Sequence, residues 1–285
     1  MRWPTLSRAR EPGGPPAEPG KDGGGSLFRF ILTLAVLAWI LRSFIIAPFN
    51  IPSGSMLPTL YIGDYVMVAK WPYGYSRFSF LFGFPPFKGR IFAGLPRRGD
   101  VVVFRHPAED IDLIKRVIGL PGDTVEVRDG ELVLNGKKLS RQQLEPFEMP
   151  ISPNSPCKVV PPASPMVVAA GDRDACRYPA YLETLPGGPS YTVLDQTDTA
   201  ADDFAPTRVP PGHVFLMGDN RDDSLDSRFA TPRGIGMVPV ENLVGRGLVT
   251  FWSTDGSSSY WKPWTWFSAL RSYRIGNGYT GHPPQ

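Results

Sequence analysis

Residues 27–47 form a stretch that water solvates poorly, and it constrains the chain more than any other feature. Its centre, Phe30 to Leu41, carries no charge, and apolar character resumes after Arg42 with Phe44-Ile45-Ile46-Ala47. The uncharged centre alone is short of the roughly 20 helical residues that cross a bilayer. Arginines near helix ends extend their charge to the headgroups, so Arg29 and Arg42 are compatible with a span. A cleaved leader is the competing reading. It needs a short basic segment and a small-residue cleavage site, whereas here the preceding tail is long and Pro48-Phe49-Asn50 is a poor site. Residues 26–47 are therefore read as an uncleaved transmembrane anchor, ended by Pro48. Arg2, Arg8, Arg10, Lys21 and Arg29 precede it, which places the N-terminus in the cytoplasm and the rest outside. Residues 1–25, rich in Pro, Gly and charge, read as a disordered cytoplasmic tail.

Beyond the anchor the signals are mainly β. The chain of 285 residues has 32 Pro and 30 Gly, which suits strands and turns better than long helices. Residues 61–70, 101–104, 111–118, 214–217 and 247–251 read as strands. Residues 124–127 and 132–134 alternate about Asp129-Gly130, a hairpin signature. Residues 71–96 are a Gly-, Phe- and Pro-rich excursion, and 140–208 reads as an insertion with little regular core. Thirty basic against 27 acidic residues, without a long basic run, argues against nucleic-acid binding. Cys157 and Cys176 lack neighbouring histidines, so zinc is disfavoured. They are either a disulfide, if this region lies outside the cytoplasm, or two free buried thiols.

Ser55, in Ile51-Pro52-Ser53-Gly54-Ser55-Met56-Leu57-Pro58-Thr59-Leu60, is presented by a Pro-bounded turn just beyond the anchor. The Gly-x-Ser-x-Gly elbow is absent, and a loop serine alone carries little weight. Only three histidines are available as bases: His106, His213 and His282, each at a loop or tail position. Lys115 is different. By the two-residue period it shares a strand face with Leu113 and Val117, and an apolar face lowers an ammonium pKa. Snorkelling to solvent at a strand edge is the alternative. A third cluster, Gly218 to Arg228, gathers charges and hydroxyls after an apolar strand. It reads as a hydrogen-bonded network or a solvated turn; its spacing is not that of an EF-hand calcium loop.

Four segments in order now resemble a known family. They are 52–60, the run Arg98-Gly99-Asp100-Val101-Val102-Val103-Phe104, the run Ile114-Lys115-Arg116-Val117-Ile118-Gly119-Leu120-Pro121-Gly122-Asp123, and 218–228. Together they resemble the signature boxes of bacterial type I signal peptidase (leader peptidase), a Ser/Lys-dyad serine protease family. The resemblance implies a mainly β fold, with an N-terminal transmembrane helix followed by a two-lobed, strand-rich catalytic domain. It implies Ser55 as nucleophile and Lys115 as general base, with the Ser53 hydroxyl joining the Ser55 N–H in an oxyanion hole. Ser224 would orient the lysine, and Asp226 and Arg228 would form a supporting ion pair. Met56 would pack beside the nucleophile, while Phe49, Ile51 and Ile114 would line shallow pockets for small side chains. Asp112 would lie on the edge where substrate pairs.

The same resemblance implies a single-pass enzyme of the bacterial inner (cell) membrane with a periplasmic catalytic domain. It would act on preprotein signal peptides after an Ala-x-Ala-like motif, beside the bilayer and near the secretion translocon, without cofactor or metal. The expected organisation is a catalytic core at 48–139 and 209–252, an insertion or second β lobe at 140–208, and an aromatic membrane-proximal segment at 253–285. Trp252, Trp261, Trp264, Trp266 and Phe267, with Lys262 and Arg271, suit a membrane interface, core aromatics of a small β domain being the alternative. Two other functions compete. One is a Ser/Lys peptidase of narrower range, organellar or pilin-processing. The other is a membrane-tethered domain that binds signal sequences without cutting, which would need neither Ser55 nor Lys115.

Overall fold

The computed structural model of the protein describes residues 23–80, 83–158, 161, 167–170, 173–259 and 261–279. The expected disordered tail up to residue 22, four of the five cations used to orient the anchor, and His282 lie outside them. Helix α1 spans Gly23–Ile40 and continues as a π-helical turn, Leu41–Ile45. The segment Gly25–Ile45 is long and apolar enough to cross a membrane.

The helix ends before the expected boundary, and Pro48 is not its terminator. Strand β1 (Ile46–Asn50) begins at once and contains Pro48. It is an edge strand, paired only with β2 (Asp64–Ala69) from Ile46↔Ala69 to Asn50↔Tyr65. An edge strand tolerates a residue without an N–H. Residues from Ile40 onward form one compact unit.

The main sheet has seven antiparallel strands. From β1 and β2 it continues through Leu243–Ser253, β3 (Val101–Arg105), β4 (Asp112–Gly119), His213–Met217 and Val238–Pro239. The run Val101–Phe104 lacks polar alternation because both its faces are buried. Val101 and Val103 pack with Ile51, Met56, Val66 and Val68, while Val102 and Phe104 pack with Val117, Leu216 and Leu243. Beside this sheet, Thr124–Arg128 and Glu131–Leu134 form the expected hairpin, Val127 opposite Leu132. Asp129 (φ 50°) and Gly130 (φ 72°) supply the two left-handed turn residues that such a two-residue loop requires.

Residues 140–208 depart from the expectation of little regular core. Two three-stranded sheets form there, Ala180–Thr184 between Ser190–Leu194 and Ser140–Gln143, and Arg173–Tyr178 between Val167–Ala170 and Phe147–Pro150. Met149, Tyr178, Ala180 and Leu194 pack against Leu57 and Tyr61, just beyond Ser55. Cys157 and Cys176 are joined as a disulfide, their Cα atoms 5.5 Å apart.

Candidate active site

The turn carrying Ser55 is held from both ends and from outside. The Ile51 N–H donates to the Asp64 carbonyl and the Gly63 N–H to the Ile51 carbonyl, both at 2.9 Å. The Leu60 N–H donates to the Met56 carbonyl, closing a helical turn after the serine. Asn220 clamps the turn: its N–H donates to the Ser55 carbonyl at 3.1 Å and its Nδ2 to the Gly54 carbonyl at 3.2 Å. Ser55 is thus fixed at a buried position.

Lys115 reaches that position from β4. Its Nζ lies 2.5 Å from Ser55 Oγ. The side chain is only 5% exposed. Burial pushes its pKa down to about 8, against the opposing pull of Asp226, Asp219 and Asp223, with Arg228 adding to the depression. Ser53 Oγ stands 3.5 Å from Ser55 Oγ. Ser53, Ser55, Lys115, Ser224, Leu113 and Ile235 line one open cavity of about 680 Å³.

The 218–228 segment forms a buried network behind the lysine. Arg228 grips Asp226 through Nε to Oδ1 at 2.9 Å and Nη2 to Oδ2 at 3.0 Å. Burial alone would raise the Asp226 pKa. The Arg228 charge, with hydrogen bonds from Arg228 and the Gly218 N–H, outweighs that and holds the carboxyl low. Ser224 is buried on the cavity wall beside Asp226, and its hydroxyl makes no hydrogen bond to Lys115. Gly218 has no room for a side chain: a Cβ there would lie 2.3 Å from Ser224 Oγ and 2.5 Å from the Ser55 carbonyl oxygen.

Two contributors escaped sequence reasoning. Arg116, adjacent to Lys115, points to the other face and forms a two-pronged pair with Asp219, Nε–Oδ1 2.7 Å and Nη2–Oδ2 2.6 Å. Thr59 also donates to Asp219, at 2.5 Å, so this pair ties β4 to the serine turn. Asn220 is the second, through the clamp described above. The Gly-Asp-Asn-Arg run signals a network, but not which backbone it grips.

Of the remaining candidates among the described residues, only His106 lines the cavity. Met56 is fully buried and Ile51 nearly so, in a core cluster against which Phe49 and Ile114 pack half-buried. Asp112 is exposed at the start of β4 and pairs with Arg105, Nε–Oδ1 2.9 Å. His106 is buried on the cavity wall, but its Nδ1 accepts the N–H groups of Ala108 and Glu109. His213 Nδ1 meets the Pro211 carbonyl instead.

One open backbone edge faces this region. β3 pairs with β4 from Val101↔Arg116 to Arg105↔Asp112. On its other side β4 is matched by His213–Met217 only at Arg116, Val117 and Gly119. Residues 112–115 therefore keep one edge unpaired among the described residues.

Residues 25–252 match the family model described as signal peptidase, peptidase S26. The chain belongs to that family. It is 35% identical to the signal peptidase I of Rickettsia conorii over 80% of this chain and 78% of that one. The signal peptidase I of Rickettsia typhi gives the same identity and coverage. A crystal structure of a signal peptidase I from Enterococcus faecalis aligns at 26% identity over 54% of this chain and 97% of that one, with a TM-score of 0.29. As a peptidase of this family the chain is a hydrolase, and its strand-rich architecture behind an N-terminal apolar helix agrees with the class expected from sequence.

Proposed function

We propose that the protein removes N-terminal signal peptides from exported preproteins, with Ser55 as nucleophile and Lys115 as general base. The observation that carries the reading is the buried amine 2.5 Å from Ser55 Oγ, with its pKa brought down to about 8. The neutral amine accepts the Ser55 hydroxyl proton as Oγ attacks the scissile carbonyl. The oxyanion meets the Ser55 N–H and the Ser53 hydroxyl, donors typically worth about 3–4 kcal/mol of barrier. Lys115 returns the proton to the leaving amine, and a water deprotonated by the same lysine then hydrolyses the acyl-enzyme. No metal or cofactor enters these steps.

Substrate would pair with the free edge of β4 at 112–115 as an added strand. Asp112 lies at the start of that edge. Ile51, Phe49 and Ile114 would bound shallow sites for small residues, which fits cleavage after an Ala-x-Ala-like segment. The Gly25–Ile45 helix would anchor the enzyme as a single span with its catalytic unit outside the cytoplasm. Trp261, Trp264 and Phe267, 92%, 69% and 82% exposed, favour a membrane surface over a core role for the C-terminal aromatics. Vesicle binding unchanged in a Trp264→Ala, Trp266→Ala double variant would count against that surface.

The test is cleavage of a preprotein carrying an Ala-x-Ala site by wild type, Ser55→Ala and Lys115→Ala in lipid, with the product N-terminus sequenced. Wild type is expected to release a single product cut after the second alanine. Cleavage by either variant at the wild-type rate would refute the dyad.

A further inference from the structure

A second pocket, of about 680 Å³, opens between β1 and the start of β4, and nothing in the peptidase mechanism uses its charge. Arg42, Lys70, Arg77 and Arg105 line it, with Phe49 and Phe78 as aromatic walls. Arg105 is shared by two carboxylates, Asp110 and Asp112. The other three cations have no carboxylate partner among the described residues.

Lys70 is the unusual member. It is 4% exposed and makes no side-chain hydrogen bond or ion pair with any described residue. Its ammonium rests over the Phe49 ring, 5.5 Å from the centroid. Burial pushes its pKa down to about 8, which Asp112 opposes and which Arg42 and Arg105 reinforce. Arg77 and Arg105 approach the Phe78 ring, 4.5 and 5.9 Å from its centroid. Asp110 and Asp112 also line the pocket, but both are engaged by Arg105, so no described carboxylate stands within ion-pair distance of the Lys70 ammonium to offset its desolvation.

Position selects the anion. Arg42 belongs to the last helical turn of the Gly25–Ile45 segment, and Ala47, two residues past its end, also lines the pocket. If that segment spans the membrane, the pocket opens at the depth of lipid phosphates, where Lys and Arg meet anionic headgroups.

We propose that this pocket binds the phosphate of an anionic phospholipid headgroup, held by Lys70 with Arg42 and Arg77. The proposal rests on the reading of residues 25–45 as a membrane anchor, but not on the Ser55/Lys115 chemistry. The bound lipid would fix the height of the catalytic unit over the bilayer at the end where the substrate strand enters.

The test is native mass spectrometry of the full chain in neutral detergent micelles, titrated with phosphatidylglycerol or phosphatidylcholine. Wild type and Ser55→Ala should each retain one phosphatidylglycerol, at least tenfold in preference to phosphatidylcholine. Lys70→Met and Arg77→Gln should each lose that preference; Arg77 is exposed, so its variant keeps the fold. Equal retention of the two lipids by wild type, or undiminished preference in both variants, would overturn the site. So would a pocket that takes inorganic phosphate or a glutamate-bearing signal peptide in place of the lipid. A chain extracted from membranes by carbonate would sink the anchor reading, whereas cleavage by Ser55→Ala would sink the dyad and leave the lipid result standing.

Discussion

Lys115 should make the protein less stable in the pH range where it works. An ordinary lysine has a pKa of 10.5, and burial brings Lys115 down to about 8. That difference corresponds to roughly 3 kcal/mol of lost folding stability at pH 7, at about 1.4 kcal/mol per unit. The unfolded chain binds this proton up to its ordinary pKa and the folded chain releases it near 8, so stability rises with pH between those values. Lys115→Met keeps the length and removes the buried charge. At pH 7 it should therefore raise stability by about 3 kcal/mol, or ~6–12 °C in Tm for a unit of this size. By pH 9.5 the gain should fall to about 1 kcal/mol. Cleavage should vanish at every pH. The wild-type kcat/KM profile should climb about tenfold per pH unit up to a limb near 8 and then level. Thermal unfolding of both proteins in micelles at the two pH values, with preprotein cleavage in parallel, makes the comparison. A Lys115→Met protein less stable than wild type at pH 7, or a stability gap that does not shrink with pH, would refute a desolvated lysine base.

Three further outcomes follow from the site. Gly218→Ala should lower kcat by ~10²-fold or more, because the new Cβ displaces the Ser55 carbonyl and the nucleophile with it; a preprotein assay at wild-type rate would show that the turn can yield. Ser53→Ala should lower kcat by ~10²–10³-fold with KM little changed, as expected for a donor to the oxyanion; a purely KM effect would reassign Ser53 to substrate binding. Cys157→Ser should destabilise the folded chain by about 3 kcal/mol under oxidising conditions, from the 19-residue separation the disulfide closes. The same substitution should change nothing in reductant, and urea unfolding under the two conditions reads both.

Much of the candidate site was legible because it depends on local pattern. The period of two put Lys115 with Leu113 and Val117, and Asp129-Gly130 announced its own turn. Val101–Phe104 advertised a strand buried on both faces, though not its neighbours. What escaped were effects of distance and context. Pro48 looks like a helix terminator until β1 proves to be a sheet edge, where a missing N–H costs little. Arg116 and Asp219 are 103 residues apart, so no local spacing links them. The region 140–208 is dense in Pro, Asp and Ser, yet its scattered apolar residues Met149, Tyr178 and Leu194 meet across sheets to cover Leu57 and Tyr61. Lys70 closes the strand expected at 61–70, and only the fold reveals that it is buried.

The central claim is that a neutral lysine amine stands beside Ser55 at working pH. Selective ¹³Cε-lysine labelling of the full chain in micelles, followed by NMR titration from pH 6 to 11, measures this directly. Two resonances, from Lys115 and Lys70, should titrate near pH 8, and the one absent from Lys115→Met is the candidate base. A Lys115 resonance that stays protonated beyond pH 10 would contradict the account.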